Sequence, residues 1–228
     1  MIQHRRFGYL LAGQLIVLLG YPLVAGDHPR PVVLTALITV VILASLHVLR
    51  QDRRAVLVGG MLGLPAILVS LWSSLSPQPW LERLALLSIT AAMAFVSGAI
   101  LKGVLTSARV TLDALYGAIS SYLFAGLSWG MAYTLVESVW PGSFHPSIDP
   151  GRSLLWTDFS FFSFTTLSTL GYGDLVPMRG VARSLSLLEG VVGVMFPAVI
   201  IGRLIGSFKT GSGPPEEDRS PGATPRPW

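Results

Sequence analysis

Thr165-Thr166-Leu167-Ser168-Thr169-Leu170-Gly171-Tyr172-Gly173-Asp174 is the stretch on which the reading of the fold turns. It is rich in hydroxyls and glycine, yet apolar segments flank it on both sides. The chain has 228 residues, 51% hydrophobic and only 12% charged, with a mean hydropathy of +0.62. That composition belongs to an integral membrane protein. A polar, glycine-rich stretch inside such a chain needs a physical reason. The chain has no cysteine, which excludes disulfides, thiolate metal sites and thiol nucleophiles. The formal charge is +4. The arginines stand at segment ends, so the basicity marks cytoplasmic loops and not a nucleic-acid patch.

A bilayer core takes roughly 20 apolar residues as helix. Six segments meet that length: Phe7 to Ala25, Pro31 to Leu49, Ala55 to Leu75, Leu81 to Leu101, Leu112 to Trp140 and Val181 to Phe208. The predicted fold class is therefore an all-α membrane protein with six transmembrane helices. Arg5, Arg6, Arg50, Arg53, Arg54, Lys102, Arg109, Arg203 and Lys209 then lie on one side; Arg30, Arg83, Arg152, Arg179 and Arg183 lie on the other. The larger set belongs inside, which puts both termini in the cytoplasm. A cleaved leader is the competing reading of Arg5-Arg6 and the first apolar run. Leu23-Val24-Ala25-Gly26 is a poor cleavage site and removal spoils the charge asymmetry, so the segment is expected to span.

The interval between the fifth and sixth segments is the longest. Pro141 to Pro150 reads as a polar outer loop. Leu154 to Thr166 is apolar and aromatic but too short to span, and predicts a re-entrant helix of about three turns. The quoted stretch follows it, and Leu175-Val176-Pro177 leads back out. From Gly211 onward the chain is Gly/Pro/Ser-rich and is expected to be disordered.

Thr169-Leu170-Gly171-Tyr172-Gly173-Asp174, after a short aromatic helix and before a glycine-bearing span, resembles the selectivity filter of tetrameric potassium channels. The likeness covers roughly residues 113 to 208 and is similar to small prokaryotic channels of the two-span ion-channel family. Leu188-Glu189-Gly190 and the run Ala198 to Arg203 share it. The first four segments match only in number. The resemblance implies a homotetramer in a prokaryotic plasma membrane, with potassium ions held by oxygens of Thr169, Leu170, Gly171 and Tyr172 in a filter that includes Gly173. It makes Tyr172 a strut against the aromatics of the short helix and Asp174 a negative charge at the outer mouth. The physical reason is independent of the likeness. A pore that passes potassium replaces the hydration shell with backbone carbonyls aimed at one axis. Aiming successive carbonyls one way needs unusual or positive φ, which glycine adopts freely.

The chain departs from the commonest family pattern. Leu170 stands where valine is usual, Thr165 where some relatives carry a glutamate paired to the filter aspartate, and Phe161-Phe162 where a tryptophan pair is common. Glu189 is an acid inside the last span, and such groups are placed for a reason. It is expected to face the back of the short helix and bond hydroxyls of Thr165, Thr166 or Ser168; a cavity-facing ring of carboxylates is the alternative. Gly193 matches the family's inner-helix hinge glycine. Gly190, Gly193 and Pro197 are thus candidate bending points, with Ile201 and Ile205 as an apolar gate; packing is the alternative role of the two glycines.

Six spans with the pore between the last two is the layout of voltage-gated channels. The fourth segment, however, carries only Arg83 near its outer end and Lys102 at its inner end, so little or no voltage dependence is expected. Lys102 to Asp113 is expected to be an amphipathic linker. The domains are expected at 1–110 (four helices), 111–209 (pore) and 210–228 (tail). The partners implied are potassium ions, membrane lipid and further copies of the chain, with no organic cofactor, nucleic acid or covalent chemistry. A nonselective cation channel and a non-conducting assembly or sensor subunit remain as alternatives.

Overall fold

Helices dominate the computed structural model, in which residues 6–25, 39, 52–76, 78–107 and 111–211 are described. The elements in order are α1 (Arg6–Ala25), α2 (Arg53–Leu75), α3 (Pro79–Thr106), α4 (Leu112–Val139), β1 (Phe144–Pro146), α5 (Trp156–Leu167), β2 (Leu175–Pro177) and α6 (Gly180–Gly211). The expected segment Pro31 to Leu49 lies outside the described residues except for Thr39, as does the tail beyond Gly211.

Local chemistry sets the ends of these helices. The Asp52 carboxylate accepts from the Arg54 and Ala55 amides at 3.0 and 3.2 Å and starts α2. Pro79 occupies the first turn of α3, where its missing N–H costs nothing. The Thr111 hydroxyl accepts from Ala114 N at 3.2 Å and starts α4. Asp158 holds the start of α5, accepting from Leu155 N at 2.8 Å while Arg152 grips its carboxylate at 2.8 and 2.9 Å. That ion pair raises the pKa of the Arg152 guanidinium above its ordinary value.

Among the described residues, three helical stretches are long and apolar enough to cross a membrane: Arg53–Ser73, Pro79–Thr106 and Gly180–Arg203. Phe7–Gly20 is apolar but shorter. The expected fifth span, α4, is 28 residues long but is not in that set. The reason is visible in its sequence. Gly117, Ser120, Ser121, Gly126, Ser128 and Gly130 dilute its hydropathy, and all of them are buried against neighbouring helices. The expected linker Lys102 to Asp113 is shorter than its sequence suggested, because α3 runs on to Thr106 and α4 begins at Leu112.

The buried core lies between α3 and α4, with Ile89, Met93, Val96 and Ile100 meeting Ala118, Phe124 and Met131. Polar bonds run the length of this interface. Arg83 donates to the Ser138 carbonyl at 2.9 Å at one end, where the negative end of α4 favours a cation. The Ser128 hydroxyl donates to Thr90 O at 3.1 Å. Ser97 and Ser121 exchange hydroxyl-to-carbonyl bonds, both 2.8 Å. Arg83, Thr90 and Ser97 recur at heptad spacing and so share one face of α3. On α1, the Gln14 amide donates to Ser120 O at 3.3 Å and Phe7 N to Asp113 Oδ1 at 3.1 Å. Helices α1 and α3 are thereby fastened to α4 of their own chain. Since the chain has no native cysteine, a Ser97→Cys/Ser121→Cys pair tests this. The hydroxyl oxygens are 3.2 Å apart, so oxidation should give an intrachain disulfide that runs as a monomer on a non-reducing gel. Cross-linked dimers would contradict the packing.

Candidate functional site

The site begins with the seating of α5. Gly126 and Gly130 lie one turn apart on α4 and leave a groove for it. A Cβ at Gly126 would collide with the Phe164 ring, and one at Gly130 would meet Ser160 Cα at 2.8 Å. The Ser163 hydroxyl lies 2.7 Å from Gly126 O. The other side of α5 is aromatic: Phe162 packs edge-on to Tyr133 and Phe144 with centroids 5.2 and 5.5 Å apart.

The end of α5 shapes the quoted stretch. Thr169 N donates to Thr166 O at 3.0 Å and Leu170 N to Thr165 O at 2.8 Å. This is the bond pattern of a Schellman cap, whose left-handed residue is normally glycine. Here it is Thr169, at φ 61°. An L residue pays roughly 1–2 kcal/mol for that conformation, and such strain gathers at functional sites. Gly171 and Gly173 follow at φ 54° and 74°, while Leu170 and Tyr172 have negative φ. The backbone therefore alternates in hand from 169 to 173. Alternation of this kind turns successive N–H groups to one side, as in an anion nest, and the carbonyls to the other. Leu170 N and Gly171 N converge on Thr165 O at 2.8 and 3.1 Å. Among the described residues no donor reaches the carbonyls of Thr169, Leu170, Gly171 or Tyr172. Sequence reasoning assigned positive φ to the glycines and did not foresee it at Thr169.

Beyond Gly173 the chain is pinned. β1 and β2 pair antiparallel, with His145 opposite Val176, and Ser147 N donates to the Asp174 carbonyl at 2.8 Å. Glu137 accepts from Gly142 N and Phe144 N at 2.7 and 3.0 Å, which ties this hairpin to the end of α4. The Asp174 side chain is half-buried, and its Oδ1 has no partner among the described residues. Tyr172 stacks on Phe161, centroids 5.8 Å apart and planes 6° off parallel. Phe162 faces away from Tyr172 toward Tyr133, so only one of the two phenylalanines contacts the tyrosine.

Glu189 is fully buried, at 0% exposure. Tyr133 Oη donates to its Oε2 at 2.5 Å, and Ser163 Oγ lies 2.5 Å from its Oε1. One carboxylate thus joins α4, α5 and α6. The hydroxyls expected as partners bond elsewhere: Thr165 Oγ1 to Phe162 O and Ser168 Oγ to Phe164 O, each a backbone carbonyl within reach on their own helix. Thr166 is likewise not a partner of Glu189. Tyr133 was missed by sequence reasoning. Gly193 is buried against Leu167, whereas a Cβ at Gly190 would meet nothing within 4 Å. Helix α6 continues through Pro197, Ile201 and Ile205. Ile201 is exposed; the Ile205 side chain lies outside the described residues. Arg203 donates to the Ser107 carbonyl at the end of α3.

Comparison with known proteins completes the assignment. The family profile described as "Ion channel" matches residues 110–209. Protein LctB of Bacillus caldotenax is 34% identical over 100 residues, covering 42% of this chain and 74% of that protein. The chain belongs to this ion channel family. Protein LctB of Geobacillus stearothermophilus is 30% identical over the same shares of the two chains. The inward rectifier potassium channel Kirbac3.1 of Paramagnetospirillum magnetotacticum is 32% identical over 91 residues, which is 38% of this chain but only 27% of that protein. No solved structure matches. The matched region is the ion channel domain, and it contains α4, α5, the 169–174 stretch and nearly all of α6.

Proposed function

We propose that this ion channel conducts potassium selectively and passively through a homotetrameric pore, with Thr169 to Gly173 of each copy as the filter. The observation that carries this is the alternating hand of residues 169–173, with amide groups bound to Thr165 and Thr166 and the carbonyls left free for an ion. A single such strand covers one side of an ion, so several copies must meet on an axis to replace a hydration shell. The exposure of Leu170 and Tyr172, 58% and 67% in the isolated chain, supports a surface that further copies cover. Helix α6 supports it too, with Leu187, Leu188, Val191, Val194 and Met195 exposed around it. Asp174 sits at the outer mouth, where its charge attracts cations.

The chain is read as six spans with α5 re-entrant between the last two and both termini cytoplasmic in the plasma membrane. Weak or absent voltage dependence follows from Arg83. Its guanidinium is bonded to Ser138 and sits at the outer helix end, where it crosses no field. Rubidium uptake into vesicles holding only this protein tests the reading. Uptake driven by an outward potassium gradient and unaffected by sodium is expected. Absence of uptake contradicts conduction, and equal uptake of radioactive sodium contradicts selectivity.

A further inference from the structure

We propose that Gly193 is a seat for the base of the filter and not the bending point of α6, and that the bend belongs to Pro197. The inference rests on the reading of residues 169–173 as a filter.

Gly193 is buried, and a Cβ there would collide with the Leu167 carbonyl oxygen and lie 2.8 and 2.9 Å from Leu167 C and Cα. These are backbone atoms, so no side-chain rotation makes room. One turn earlier on α6, Glu189 meets Ser163, one turn before Leu167 on α5. Two contacts, a turn apart on both helices, fix their separation and their rotation together. A residue held in this way at 189 and 193 has no freedom to act as a hinge.

Leu167 is the last residue of α5, and Thr169 with its positive φ is two residues on. The cap bonds of Thr169, Leu170 and Gly171 stiffen that connection. Displacement of the Leu167 carbonyl therefore reaches the first filter residue with little slack. Pro197 is different. It lacks an N–H, so the Gly193 carbonyl has no helical donor from it. Its side chain is exposed, as are those of Val194, Met195 and Val199 around it. Bending there breaks few contacts: the ring contact of Phe196 with Tyr122 at 5.2 Å, the packing of Ile200 on the core and the bond from Arg203 to the Ser107 carbonyl. A hinge below Gly193 lets the lower half of α6 move while the filter base stays seated.

The test compares Gly193→Ala, Gly190→Ala and Pro197→Ala in reconstituted vesicles, measuring the potassium-to-sodium permeability ratio separately from total flux. Gly193→Ala should lower the ratio about tenfold, equivalent to ~1.4 kcal/mol of lost discrimination. Gly190→Ala should leave the ratio unchanged. Pro197→Ala, which restores a helical donor, should change total flux and leave the ratio intact. Altered flux at an unchanged ratio in Gly193→Ala overturns the seat and restores the hinge. An equal loss of ratio in Gly190→Ala or Pro197→Ala also overturns it. Should Gly193→Ala not assemble, Ser163→Ala removes the upper contact without added bulk; a lowered ratio supports the seat and an unchanged one contradicts it. A wild-type channel without potassium preference would instead defeat the filter reading itself.

Discussion

Gly171→Ala is expected to abolish potassium-selective flux, lowering it by about two orders of magnitude or more, while leaving a folded protein. Gly171 sits at φ 54°, and a Cβ added there meets nothing within 4 Å of its own chain. The penalty is therefore one of conformation. An L residue in the left-handed region costs roughly 1–2 kcal/mol, and the backbone escapes it by moving toward negative φ. That move breaks the alternation of hand and swings the adjoining carbonyls off the ion path. In a symmetric oligomer every copy carries the defect, so the free-energy cost at the ion is multiplied by the number of copies. A melting temperature within a few degrees of wild type is expected, because 169–173 contributes little buried surface to the chain. Selective flux preserved in Gly171→Ala would show that positive φ at this position is incidental to conduction.

Glu189→Leu is the second large effect. The carboxylate accepts from Tyr133 and meets Ser163 in a site with no exposure, so leucine strands the Tyr133 hydroxyl inside the membrane. A buried hydroxyl without an acceptor costs about 1–3 kcal/mol. Ser163 retains Gly126 O at 2.7 Å and loses only its tie to α6. The expected result is a lowered melting temperature together with a reduced potassium-to-sodium ratio, since the three-helix junction that seats α5 is gone. Glu189→Gln is the discriminating partner. Its amide oxygen still accepts from Tyr133, and its amide nitrogen donates to Ser163, whose own proton turns to Gly126 O. Gln should therefore keep both stability and selectivity near wild type. If Gln behaves like Leu, the negative charge itself is needed, as a carboxylate ring lining a water path requires, and the junction is not the function of Glu189.

Much of the structure from 154 to 177 was legible in the sequence because its signals are local. Gly171 and Gly173 announce special backbone geometry, and a short aromatic run before them announces a helix too short to span. Other features escaped because they depend on partners. The left-handed Thr169 follows from the cap of α5, and a β-branched residue gives no hint of positive φ. Periodicity directs Glu189 toward α5, but nothing in the sequence names Tyr133, which lies far away on α4. Two signals were present and went unread. Gly126-x-x-x-Gly130 is a packing motif for the helix that crosses it, and Arg83, Thr90 and Ser97 at heptad spacing mark the face of α3 that bonds to α4. The latter explains why an otherwise apolar helix carries hydroxyls: they fasten it to its neighbour. The hydropathy of α4 is low for the same reason, since its small and polar residues are spent on helix contacts.

The central claim is that residues 169–173 discriminate potassium by backbone coordination. The most direct measurement is the reversal potential of the purified protein in a planar bilayer, with potassium on one side and an equal concentration of sodium on the other. The account predicts a reversal potential displaced strongly toward the potassium equilibrium potential, and a shift of about 59 mV toward zero in Gly193→Ala, the equivalent of a tenfold lower ratio. A wild-type current that reverses near zero would contradict the account.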